Sequence, residues 1–332
     1  MIDTTKFSQQ LRDKTIDLAG KRILLTDFRE SEQEKDLSEP PNCGGFGRIR
    51  HFRRGTADGW PENPLPINPA CAKLGLPMGQ QVLEAQAFQS ASCNWRCWYC
   101  FVPFDLLKAD LSKSKFLSAG ELIDLYLSES NRPVVIDLTG GQPELTPEWV
   151  PWVMEEVYER GIENEVFLWS DDNLSGYYFW EYLDSEMVDL VRCFKNYSKV
   201  GCFKGFDAKS FSFNTRADPG LFEQQFDIFA RYLDLGIDLY AYATFTSDDV
   251  SDLDGKMRDF VDRLQGIHEK LPLRLVPLEI AQYGVVQKRR QVVDVAGAIS
   301  NQYHAIDAWM GELNARFTKK DRESPINEVL MK

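Results

Sequence analysis

The stretch Cys93-Asn94-Trp95-Arg96-Cys97-Trp98-Tyr99-Cys100 decides how the rest of the chain is read. Its three cysteines are spaced C-x3-C-x2-C and follow a strand-like run at 81–89. Thiolates are the soft ligands of iron–sulfur clusters, and such clusters normally take four. Three thiols in one short loop, with no fourth beside them, point to a cluster that leaves one iron open. The same thiols could instead serve a structural zinc, with a fourth ligand drawn from Cys43, Cys71, His51, His268 or His304. A disulfide framework is disfavoured: the chain is long, it carries seven cysteines, and its first residues lack the apolar core of a secretion signal.

With an aromatic residue, Tyr99, before the last cysteine, the loop resembles the defining motif of the radical S-adenosylmethionine (SAM) superfamily. The resemblance implies a [4Fe-4S] cluster on Cys93, Cys97 and Cys100, whose fourth iron is chelated by the amino and carboxylate groups of SAM. An electron from that cluster then cleaves the sulfonium to a 5′-deoxyadenosyl radical, which abstracts hydrogen from substrate. An external electron donor such as flavodoxin or ferredoxin is the expected partner.

Composition is that of an ordinary soluble globular protein: 43% hydrophobic and 27% charged residues supply both a core and a solvated surface. The net charge of −13 argues against extended nucleic-acid binding, which requires Lys and Arg to neutralise phosphates. No apolar run approaches the roughly 18 residues of a membrane span. Free thiols and an oxygen-sensitive cluster point to the reducing cytoplasm.

Outward from the cysteine loop, the chain alternates strand and helix. Strands are expected at 82–88, 134–139, 165–170, 199–206, 239–245 and 273–280, with helices at 119–128, 147–160, 179–191, 221–235 and 256–264. Ser118 before Glu121 reads as a helix N-cap. Long crossovers between these strands require parallel pairing. Too few residues remain for a closed eight-stranded barrel. The expected fold is therefore α/β, a partial (β/α)6 barrel over 81–285, which is also what the resemblance implies. It is preceded by a loop-rich N-terminal extension (1–80) and followed by a C-terminal helical segment (286–332), with one helix at 292–317. Within the extension, a helix is expected at 4–18 and a brief strand at 22–26. Residues 27–79 hold seven of the sixteen prolines and seven glycines, so irregular structure is expected there. Arg48, Arg50, Arg53 and Arg54 in this segment read either as a solvated basic loop or as a lid over an anionic substrate.

In parallel barrels the chemistry sits on the loops after the strands. After the second strand, Thr139-Gly140-Gly141-Gln142-Pro143 resembles the superfamily's Gly-Gly-Glu-Pro motif, which binds the methionyl amine. Gln142 stands in the acidic position, so backbone acceptors must carry more of that contact. After the third strand, Trp169-Ser170-Asp171-Asp172-Asn173 offers acceptors for ribose hydroxyls, with Ser170, Asp171 and Asn173 as candidates. Gly201-Cys202-Phe203-Lys204-Gly205-Phe206-Asp207 resembles the Asp-x-Lys segment of glycyl-radical-enzyme activases, and the resemblance gives Lys204 the SAM carboxylate. Cys202 replaces that motif's acid. Thr244 and Pro277, near the ends of the fifth and sixth strands, complete the expected cofactor set with Tyr99. Trp169, Asp207 and Arg48 are candidate substrate contacts.

The expected function is reductive SAM cleavage followed by hydrogen abstraction from a small molecule, with the long N-terminal segment capping the pocket. One alternative is a modifier of a protein or peptide, such as a glycyl-radical-enzyme activase, which needs an open groove. Another is a non-enzymatic zinc protein.

Overall fold

The computed structural model describes residues 4–281, 284–289 and 295–331. Among the described residues there are ten strands: β1 (Ile16–Asp17), β2 (Arg22–Thr26), β3 (Gly47–Arg53), β4 (Val82–Gln89), β5 (Ser114–Ser118), β6 (Val135–Thr139), β7 (Phe167–Asp172), β8 (Tyr197–Phe203), β9 (Leu239–Thr244) and β10 (Leu275–Leu278). Seven of them form one sheet in the order β10-β9-β8-β7-β6-β4-β3. Every pairing from β4 to β10 is parallel, whereas β3 runs antiparallel to β4 along its whole length. The six parallel strands are those expected, and the fold is an open, curled α/β half-barrel. β1, β2 and β5 make a small separate antiparallel sheet.

Burial on both faces explains why the parallel strands are almost continuously apolar. On the concave face, Ala85, Val135, Phe167, Trp169, Val200, Tyr240, Tyr242 and Val276 meet in one cluster. On the convex face, Ile136, Leu138, Leu168, Phe203, Ala241 and Ala243 pack with the surrounding helices. Because side chains alternate along a strand, each strand has one set pointing into the barrel and one pointing out. That parity decides which site candidates reach the interior.

The helices begin where local chemistry allows. Ser118 caps Ala119–Ser128 by accepting from the Glu121 backbone N–H, and Glu121 returns a bond to the Ser118 N–H. The C-terminal helix is seen over Val295–Arg316; its expected start at 292 lies outside the described residues.

The irregular structure expected for 27–79 is only partly found. β3 is an ordinary strand, and a helix at Ile67–Leu74 sets Leu65, Ile67, Ala70 and Cys71 into the concave core. Between them, residues 54–66 cross to the opposite edge of the sheet. There Trp60 Nε1 donates to Pro277 O at 3.0 Å, and the Ala57 N–H donates to Glu279 Oε2 at 3.2 Å. The prolines and glycines punctuate this crossing, while the basic run 48–53 is strand because Arg48, Arg50 and Phe52 share its inward face opposite Ala87, Ala85 and Leu83.

Candidate functional site

A cavity of about 520 Å³ opens at the C-terminal ends of the parallel strands, a size usual for small-molecule sites. Cys93, Cys97 and Cys100 line it, together with Tyr99, Gly140, Gly141, Gln142, Asp171, Asn173, Lys204 and Arg48. These residues come from β3, the cysteine loop and the ends of β6, β7 and β8.

The cysteine loop is held from several sides. The backbone N–H groups of Arg96 and Trp98 donate to Thr215 O and Asn214 O, both at 3.1 Å. Arg289, from the C-terminal segment, donates to the carbonyls of Trp98, Cys100 and Val102. Asn214 is a junction to which sequence reading gave no role. Its amide accepts from Trp98 Nε1 and Thr246 Oγ1, and donates to the carbonyls of Lys204 and Thr246. Its position ten residues after Lys204 gave no motif signal, because the helix Ala208–Thr215 brings it back.

The glycine turn and the cysteine loop are one packed unit. The Gln142 N–H donates to Ser92 O at 2.7 Å. A side chain at Gly141 would place its Cβ 2.1 Å from that same oxygen, and Gly141 has φ +60°. Gly140, at φ +69°, is likewise closed by Gln89. Gln142 itself is occupied within the protein: its amide donates to Asp172 Oδ1 (2.8 Å) and Ser175 Oγ (3.0 Å) and accepts from the Asn173 N–H (2.9 Å). The side chain in the motif's acidic position thus braces the loop after β7.

Parity along the strands sorts the remaining candidates. Asp171 points inward and accepts from Thr139 Oγ1. Ser170 points outward, 2.7 Å from the Tyr197 hydroxyl, and is not on the cavity. Trp169 is inward but deeper, buried against Phe167 and Tyr240 in the concave core. Asn173 directs its amide to Gly141 O at 3.3 Å and to Cys93 Sγ at 3.7 Å, so this group serves the cysteine loop instead of standing free for a ribose. Thr244 lies behind Tyr99, its hydroxyl donating to the Tyr99 oxygen at 3.1 Å. Pro277 contributes its carbonyl to Trp60, and Pro143 is buried at the start of a short 3-10 turn; neither lines the cavity. Asp207 is the N-cap of Ala208–Thr215, accepting from the Ser210 N–H at 2.7 Å, which removes it from the site.

Burial pushes the Cys97 thiol up to about 12 and also raises Cys93 and Cys100, while the charge of Lys204 pulls all three down. A soft metal would displace those protons. Among the described residues, one set of three potential ligands has its donor atoms all within 4.8 Å of one another, and it is Glu39, His51 and Glu84. The three cysteines are more widely spread. A tetrahedral zinc with Zn–S of about 2.3 Å would hold sulfurs roughly 3.8 Å apart. A four-iron cluster takes each thiolate at a different corner and does not require three sulfurs to approach one another that closely. Cys202 also lines the cavity, but its main electrostatic neighbours are Lys204, Asp171, Asp172 and Arg50, not the triad.

Sequence reading missed the buried pair Arg50–Asp137, in which Nη1 donates to Oδ2 at 2.9 Å. Burial pushes the Asp137 carboxyl up to about 7 against the pull of Arg50. A polar residue in the middle of the apolar run Val135–Thr139 was the available signal.

No family model matches the chain, and no curated protein matches it. Several solved structures are similar in trace, among them SuiB of Streptococcus suis. SuiB bound to S-adenosylmethionine gives a TM-score of 0.47 at 14% identity, covering 69% of this chain and 47% of that one. SuiB alone gives 0.38 at 15%, covering 55% and 36%. SuiB bound to the precursor peptide SuiA gives 0.37 at 11%, covering 63% and 50%. This chain thus spans half or less of the length of each. At TM-scores under 0.5 the likeness decides nothing about chemistry, and the reading below rests on the site's own residues. Among the described residues no helix is long and apolar enough to cross a membrane.

Proposed function

We propose that this chain is a radical SAM enzyme acting on a small molecule. One observation carries the reading: the three motif cysteines, the Gly140-Gly141 turn and Lys204 line a single cavity at the C-terminal end of an open parallel barrel. Cys93, Cys97 and Cys100 would hold a [4Fe-4S] cluster. Such a cluster supplies the electron for reductive SAM cleavage, and the radical released takes hydrogen from substrate.

The protein's own residues bind, orient and enclose. The Gly140-Gly141 turn, held in the left-handed region that glycine adopts readily, would offer backbone acceptors to the ammonium of SAM. Lys204, buried and on the cavity lining, would pair with its carboxylate. Asn173 donates toward Cys93 Sγ, and Arg289 and Asn214 fix the loop. Enclosure keeps water from the reactive centre. An external donor such as a flavodoxin or ferredoxin would supply electrons. A discrete cavity of about 520 Å³ suits a small substrate, whereas a peptide modifier or activase needs an open groove.

The anaerobically reconstituted chain should contain iron and acid-labile sulfide and release 5′-deoxyadenosine from SAM under reducing conditions. Cys97→Ala should abolish that product; continued release by the variant would overturn the ligand assignment. Zinc without sulfide would select the zinc reading instead.

A further inference from the structure

The cavity has a second polar wall, on β3, that the cofactor contacts proposed above do not use. β3 brings Arg48 and Arg50 into the barrel opposite two alanines, Ala87 and Ala85, whose small side chains leave room for both guanidiniums. Arg50 has its partners: Asp137 at 2.9 Å and Asp171 at 3.8 Å. Arg48 is different. It is 6% exposed, it lines the cavity, and its Nε and Nη2 have no hydrogen-bond partner. Its guanidinium lies 5.4 Å from the ring centre of Phe101, which also lines the cavity. A buried cationic donor left unpaired is destabilising unless something else pairs with it.

We propose that Arg48 is the anion-recognition residue of the substrate site, so that the substrate carries a carboxylate or a phosphate seated against this guanidinium. A planar fork of N–H donors suits either group, which it can hold through two parallel bonds. The ring of Phe101 covers the cation without competing for those donors. Local charge agrees. In a chain of net charge −13, the described residues that line the cavity include four cations, Arg48, Arg50, Arg53 and Lys204, against three carboxylates, Asp36, Asp171 and Glu279. Burial holds Asp137 up to about 7, which weakens the one further carboxylate able to compete for Arg48. The anion also fixes the orientation of the substrate, since one end is held by β3 while the rest extends toward the cysteine loop.

This assignment rests on reading the cavity as a SAM-dependent active site, and its test separates the two. The anaerobically reconstituted protein is titrated calorimetrically with inorganic phosphate and, separately, with succinate, against chloride at equal ionic strength. Binding of either probe above the chloride control is expected, and the tighter probe identifies the substrate's anion as phosphate or carboxylate. Arg48→Met should weaken that binding roughly 10- to 100-fold, as expected for loss of charged hydrogen bonds, with Arg48→Lys intermediate. SAM affinity should fall far less than anion affinity. The proposal is overturned if neither probe binds, if Arg48→Met binds as wild type does, or if SAM affinity falls in parallel, which would give the guanidinium to the cofactor's carboxylate. Loss of iron or fold in both variants would make Arg48 a structural residue and equally overturn it. Iron-free protein that still binds the anion through Arg48 would instead sink the cofactor reading alone.

Discussion

Gly141→Ala is the substitution most directly tied to the construction of the site. At φ +60° an alanine pays the left-handed penalty, about 1–2 kcal/mol. Its Cβ would also stand 2.1 Å from Ser92 O and 2.8 Å from Ser90 O, both backbone atoms that cannot swing aside. Relief requires the turn to withdraw from the cysteine loop, and withdrawal breaks the 2.7 Å bond from the Gln142 N–H to Ser92 O, worth about 0.5–1.5 kcal/mol. The total is roughly 2–4 kcal/mol with repulsion partly relaxed. Gly161→Ala is the control: it has φ +65° but nothing within 4 Å of its Cβ, so it carries the backbone penalty alone. Thermal unfolding should place Gly141→Ala below Gly161→Ala. Iron content after reconstitution and SAM affinity should drop in Gly141→Ala only, because its strain falls on the loop that carries Cys93. Equal destabilisation of the two variants, with iron and SAM binding intact in both, would refute the claim that the glycine turn and the cysteine loop form one unit.

Lys204→Ala should weaken SAM binding roughly 10- to 100-fold while the iron content stays, read by calorimetry and metal analysis; unchanged affinity removes Lys204 from the cofactor site. Asn173→Ala deletes the donor 3.7 Å from Cys93 Sγ. Hydrogen bonds to ligand sulfur favour the reduced cluster, so the reduction potential should fall, by on the order of 40 mV for a bond of about 1 kcal/mol. A redox titration followed by electron paramagnetic resonance measures it, and an unmoved potential contradicts the contact. Asp137, raised to about 7 from 3.8 chiefly by burial, keeps its proton in the folded chain where the unfolded chain has lost it. Stability from this group is therefore full below about pH 4 and declines as pH rises toward 7, by at most about 4 kcal/mol. Asp137→Asn should flatten that decline in urea unfolding measured across the range, and parallel curves for the two proteins would argue against it.

The parallel barrel was legible because each of its strands is buried on both faces, which leaves an apolar run bounded by glycines and prolines. The cysteine loop, the glycine turn and Lys204 stood out by their resemblance to family motifs after expected strands, and the structure brings them to one cavity. Parity was available and went unused: with Phe167 and Trp169 inward, Asp171 must follow them and Ser170 must face Tyr197. Asp207 followed by Ser210 is likewise a capping pattern, which competes with any ligand role. β3 was hard to read for a different reason. Its inward side chains are Arg48, Arg50 and Phe52, so the face normally apolar is mostly cationic, and the alternation looks like a solvated basic run. Only the unpaired cavity opposite it makes that pattern sensible.

That inversion ties the N-terminal segment to the site instead of setting it apart. An open barrel has two free edges, and unpaired strand edges invite further pairing. Here one edge, β4, is covered by β3 over seven residue pairs. At the other edge, β10 receives Trp60 and, just beyond it, Ala57 meets Glu279. The Tyr242 hydroxyl donates to Leu65 O at 3.2 Å, fastening the same segment to the interior of β9. A single stretch of chain therefore spans the opening, carries Arg48 into the cavity and limits how far the two edges can separate. Because recognition and closure reside on one covalent segment, the dimensions of the pocket and the position of its anion-binding group are set together.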